Sequence, residues 1–135
     1  ARTLLSHCEP QRDFLGHVGG DDFMILFQSE DWEPRCRLIL DHFNERARDL
    51  FDEEALRRGG IDAEDRHGVL RFFPFTTLSL GALVVEAGHF DKPDAVASAA
   101  AAAKHKAKMG HEGLVVMTNP YRVIHDEEVQ SRKFE

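Results

Sequence analysis

The stretch "FLGHVGGDDFMILF", residues 14–27, places Gly-Gly-Asp-Asp between two short apolar runs. Two residues that accept positive φ between such runs specify a β-hairpin, because the tight turns that match strand twist need positive φ. Phe14 to Val18 and Phe23 to Phe27 are the strands it joins. The tip also has a chemical reading. Without a Cβ, Gly19 and Gly20 let a ligand approach the backbone, with N–H groups turned towards it. Asp21 and Asp22 are hard oxygen donors of the kind Mg²⁺ takes beside phosphate oxygens, and a carboxylate there could accept a proton from an attacking hydroxyl. The plainer reading is a tight turn with solvated aspartates. The turn alone leaves both open.

The rest of the chain supplies the frame. Residues 1 to 8 read as the last turns of a helix, closed by Pro10. A second helix follows the hairpin. Asp31 is its cap, and Cys36, Ile39, Leu40, Phe43, Ala47, Leu50 and Phe51 recur at steps of three and four, one apolar face. "DEEALRRGGIDAEDRHG", residues 52–68, is a polar excursion with a short strand at Ile61 to Ala63. "VLRFF" and "TTLSLGALVVE" read as strands, the second with Leu78, Leu80, Ala82 and Val84 on one face. "FDKPDAVASAAAAAKHKAKMG" is a helix with Asp91 as N-cap, Pro93 in its first turn and Gly110 as a C′ signal. "GLVVM" is a final strand. Helices set against a mostly antiparallel sheet make the class α+β.

At 135 residues the chain has room for one domain. A formal net charge of −7 argues against a DNA or RNA partner, which needs clustered Lys and Arg. It does not exclude a single nucleotide. No apolar run approaches the ~20 residues of a membrane span, and no signal-peptide pattern opens the sequence. Cys8 and Cys36, without a C-x-x-C, suit reduced thiols and a cytoplasmic setting. The opening "ARTLLSHCEP" lacks Met and begins mid-pattern, as if cut from a longer protein. The eight histidines are scattered without metal spacing. His17, beside the turn, reads as a packing or hydrogen-bonding residue. "KHKAK" suits a solvated helix end whose cations complement the dipole. "FDEEALRR" reads as a solvated face, and the Ser79-Leu80-Gly81 step as close backbone packing in a strand.

"GHVGGDDF" followed by an apolar strand resembles the signature hairpin of the GGDEF family, the diguanylate cyclase domains of bacterial cyclic di-GMP signalling. "TTLSLGALV" is similar to that family's later Ser-(apolar)-Gly strand, and the Ala-rich helix with Lys104 and Lys108 before Gly110 to its last helix. Order and spacing agree from Leu4 to Met117. "DRHG" and "RFFPFTTLSLG" resemble a subset in which a C-terminal GGDEF domain follows EAL phosphodiesterase and CBS-type domains. The resemblance implies a partial GGDEF domain over residues 1–117 and a C-terminal tail over 118–135. It implies a ferredoxin-like, nucleotidyl-cyclase palm whose first strand and following helix are missing from the chain, leaving an unpaired edge on the second hairpin strand and on the later strand. It further implies joining of two GTP into cyclic di-GMP by a homodimer with Mg²⁺.

Carried over by residue, the resemblance puts Gly19 and Gly20 at the phosphates and makes Asp21 the metal ligand and candidate base. Asp22 stands where active members have Glu, one methylene shorter. Lys104 or Lys108 is the phosphate cation. His111 replaces an Arg. Asp13 matches the acidic member of the family's Arg-x-x-Asp inhibitory site, but Pro10 stands in the Arg position, so that site is degenerate. The first-strand metal Asp and the guanine-reading residues are outside this sequence. The implied product is a degenerate or inactive cyclase; the alternative is a regulatory GTP-binding or dimerisation module controlling an attached EAL domain.

Overall fold

A computed structural model of the chain describes residues 1–118 and 122–124. It has mixed α+β structure and divides into two compact units, Ala1–Leu78 and Ser79–Glu135. The first unit contains α1 (Arg2–Leu5), β1 (Phe14–Gly19), β2 (Asp22–Leu26), α2 (Trp32–Arg48), α3 (Glu53–Arg58), β3 (Gly60–Glu64) and β4 (Leu70–Pro74). The second contains β5 (Leu80–Val84), α4 (Pro93–Met109), β6 (Leu114–Thr118) and β7 (Arg122–Ile124).

Among the described residues the strands form three small sheets. β1 pairs with β2 and β3 with β4, both antiparallel. In the third sheet β5 and β6 are parallel and β7 runs antiparallel to β6. The parallel pair is the departure from an antiparallel expectation. It follows from the 17-residue α4, which carries the chain from the end of β5 back to the start of β6, the long crossover that parallel neighbours require. In these ladders β2 is bonded on one side only, to β1, and β5 on one side only, to β6. Part of the segment read as a tail extends the sheet as β7. Residues 119–121 and 125–135, Tyr121 included, lie outside the described residues.

α2 buries Cys36 and Ile39 on its apolar stripe, and stops at Arg48. Leu50, which the periodicity assigns to that stripe, is past the end and 81% exposed. Asp31 is the N-cap residue, but its carboxylate makes no cap hydrogen bond; it accepts from Arg35 Nε at 3.0 Å instead. The polar excursion holds more structure than its composition predicts. Asp52 accepts from the Ala55 N–H at 2.8 Å and Gly59 closes α3 in the left-handed region at φ 77. β3 and β4 are then joined by a loop in which Asp65 accepts the His67 and Val69 N–H groups and Arg71 Nε. The stretch at 51–58 is exposed apart from Phe51 and Ala55, as a solvated face should be, and it is also a capped helix.

In the second unit α4 packs on β5 and β6, with Ala99, Ala103 and Ala107 buried. The strand gives way to the helix at Gly81. A Cβ built there would stand 2.2 Å from the Lys104 nitrogen and 2.3 Å from the Ala103 carbonyl carbon. The Ser-x-Gly step thus marks close backbone approach, as its sequence suggests. Both caps of α4 differ from expectation. Lys92, not Asp91, is the N-cap, and Gly110 is extended at φ −89, ψ 170 rather than left-handed.

Candidate functional site

The hairpin register pairs Phe14 with Leu26, Leu15 with Ile25, Gly16 with Met24 and His17 with Phe23, then shifts so that Gly19 faces Asp22. The irregularity between His17 and Gly19 is a bulge that tightens the tip. Gly19, at φ 158, is nearly extended, whereas Gly20 occupies the left-handed region at φ 57, where a Cβ is disfavoured. A Cβ built on either glycine meets no atom within 4 Å. The turn is open space on its outer side, Asp21 is exposed, and Asp22 is half-buried at the start of β2. One turn therefore brings Gly19, Gly20, Asp21 and Asp22 together.

His17 supports that turn from within the hairpin. Its Nε2 lies 2.9 Å from the Gly20 carbonyl oxygen, which can only accept, so Nε2 carries the proton. The ring stacks on its cross-strand neighbour Phe23, with centroids 4.6 Å apart and planes 19° from parallel. Packing and hydrogen bonding account for His17.

Asp13 sits just before β1 with its side chain fully buried. It accepts the Glu9 N–H at 2.8 Å, the Gln28 N–H at 3.0 Å and Arg35 Nη1 at 3.0 Å. Burial pushes its carboxyl pKa up, but the Glu9 and Gln28 N–H groups, with Arg35 and Arg12, outweigh that and hold it below the ordinary value. Arg35 in turn donates to Glu9 and Asp31 and reaches the His7 carbonyl oxygen at 3.5 Å. The cluster ties residues 7–13 and the strand ends to α2. Its Asp31–Arg35 and Glu9–Asp13 contacts, each four positions apart, are local; those of Arg35 with Glu9, Asp13 and His7 are not.

Lys104 and Lys108 lie one turn apart on α4, in the second unit, Lys104 half-buried and Lys108 exposed. Lys104 presents its backbone to Gly81. His111 is exposed beyond the helix end. The hairpin residues belong to the first unit.

Among the described residues no three His, Cys, Asp or Glu side chains lie together as a metal-holding group. Mg²⁺ often takes only one or two protein carboxylates and completes its shell with phosphate oxygens and water. Asp21 at the open tip, with Asp22 beside it, fits that partial donor set. No described helix is long and apolar enough to cross a membrane. No family model, curated protein or solved structure matches the chain.

Proposed function

We propose that the chain is the hairpin-bearing part of a GGDEF-type, diguanylate cyclase-like domain and that its Gly19–Asp22 turn binds the phosphates of GTP with Mg²⁺. The observation that carries this reading is the open tip, where Gly20 is held left-handed, Gly19 and Gly20 leave the backbone accessible, and two carboxylates follow at once. The glycine N–H groups approach phosphate oxygens and Asp21 holds the cation. Bound Mg²⁺ supplies neutralisation of phosphate charge. His17 Nε2 holds the Gly20 carbonyl oxygen through a hydrogen bond, which braces the tip. In the parent protein two such domains face each other as a homodimer, each bringing one GTP.

Asp13 favours a second reading, a regulatory nucleotide-binding module that controls an attached EAL phosphodiesterase, next to CBS-type domains. Its carboxylate is buried and already accepts from Glu9, Gln28 and Arg35, so it is not presented to an incoming cyclic di-GMP. Asp22 is also a methylene shorter than the glutamate of active members. The two readings share nucleotide binding and differ in turnover.

Thermal melts with and without GTP and Mg²⁺ test the shared part. A binder present at a hundred times its Kd gains about 2.7 kcal/mol of stability. The stabilisation should disappear in Asp21→Ala. A chain that is well folded and gains nothing from Mg²⁺ and GTP has a turn without a ligand. Formation of cyclic di-GMP by the bound form separates cyclase from regulator.

A further inference from the structure

His7 follows α1 and His42 lies on α2, 35 positions apart, yet His7 Nε2 and His42 Nδ1 are 2.8 Å apart with ring centroids at 4.9 Å. A hydrogen bond between two imidazoles needs one nitrogen to donate and the other to accept, so one ring must be neutral. When both rings are protonated, both facing nitrogens carry hydrogen and two like charges meet at that distance. We propose that the His7–His42 pair is a proton-operated latch that holds α1 and the turn after it against α2 at neutral pH and lets them go on acidification.

The surroundings favour the neutral pair. α2 presents His42 and Arg35 to His7, and Arg35 Nη1 reaches the His7 carbonyl oxygen. The chain next to His7 adds Cys8 and Glu9, and Glu9 is itself taken by Arg35. Burial and the nearby Asp13 push the Cys8 thiol up, so it stays uncharged here. Burial, then His42, then Arg35 lower the pKa of His7 below its ordinary value. The released segment therefore binds more protons than the docked one below the ordinary imidazole pKa, about 6.5, and docking weakens as pH falls through that value.

Release is confined to a short stretch. Residues from Glu9 onward are held through Asp13, whose carboxylate charge persists well below the imidazole range. Within α1 only Leu4 is buried. The latch owes nothing to the nucleotide reading and stands or falls separately.

NMR of the whole chain tests it. Between pH 7.5 and 5.0 the Leu4 methyl signals should move towards solvent-exposed positions as docking weakens. The Gln28 amide, held by Asp13, should stay in place. His42→Gln, which keeps a neutral hydrogen-bonding side chain, should reduce the pH response, leaving only the part due to burial and Arg35. Leu4 signals that do not move, or that move equally in His42→Gln, overturn the latch. Should His42→Gln undock α1 at every pH, ¹⁵N titration of His7 in the unaltered chain decides. A His7 transition coincident with the Leu4 change supports the latch, and a separate one overturns it.

Discussion

Replacing Gly81 by alanine adds one methyl group where α4 and β5 touch backbone to backbone. The added carbon would stand 2.2 Å from the Lys104 nitrogen, 2.3 Å from the Ala103 carbonyl carbon and 2.6 Å from its oxygen. All three are main-chain atoms, so no side chain can swing aside. Ordinary contact needs roughly 3.4 Å or more, so α4 must retreat by about 1 Å along its tightest line. Ala99, Ala103 and Ala107 have no longer side chains with which to refill the gap. Overpacking of this kind costs about 1–3 kcal/mol. Against it stands the gain from removing a strand glycine, about 0.5–1 kcal/mol. Gly81 is not among the positive-φ glycines, so backbone strain does not enter. The net loss is ~1–2 kcal/mol, which in a small unit lowers Tm by roughly 4–16 °C. Melts followed by far-UV circular dichroism read it, with Gly59→Ala as a control whose only cost is its left-handed φ of 77. A Gly81→Ala chain as stable as the original, or more so, refutes the close-packed β5–α4 interface.

Asp13→Asn should destabilise the first unit by about 1–3 kcal/mol, because an amide cannot accept both the Glu9 and Gln28 N–H groups and gives up the charge facing Arg35. The folded-state pKa of Asp13 is depressed, so its share of stability is present above the unfolded value of about 3.9 and is lost as pH falls through the folded one. Acid unfolding of the Asn variant should accordingly be flatter below pH ~4 than that of the unaltered chain. Burial, with Glu33 adding to it, pushes the Cys36 thiol up to about 12. Its thiolate fraction is then about a thousandfold below that of a thiol at 9, so iodoacetamide at pH 8 should modify Cys36 in urea and leave it intact in the folded chain. Native labelling of Cys36 as fast as in urea would contradict its burial.

Much of the fold was legible because it is encoded locally. Two glycines and two aspartates between apolar runs specify the β1–β2 turn, and an alanine run opened by Pro93 specifies α4. Local signals also misled. Asp91 and Gly110 have the right chemistry for caps, but the chain enters α4 through Lys92 and leaves it extended at Gly110. α3 was overlooked because DEEALRR has no apolar periodicity; the Asp52 cap and Gly59 were the available signals. The contacts that organise the N-terminal segment were not legible at all. Arg35 meets Asp13 and Glu9 across 22 and 26 positions, and His7 meets His42 across 35. Such pairings depend on how the chain turns between Asp13 and α2, which no period records. The site was legible as a turn and as a set of residue types. The packing and hydrogen-bonding role of His17 was legible too, but its partner Gly20 was not, since a strand histidine i, i+3 from a glycine has no distinctive pattern.

The claim that the Gly19–Asp22 turn binds nucleotide phosphates is tested most directly by amide NMR during titration with GTP and Mg²⁺. The account predicts saturable shifts at Gly19, Gly20 and Asp21 that are abolished by Asp21→Ala while the rest of the spectrum stays folded. Unmoved glycine amides at saturating GTP and Mg²⁺, in a folded chain, would contradict it.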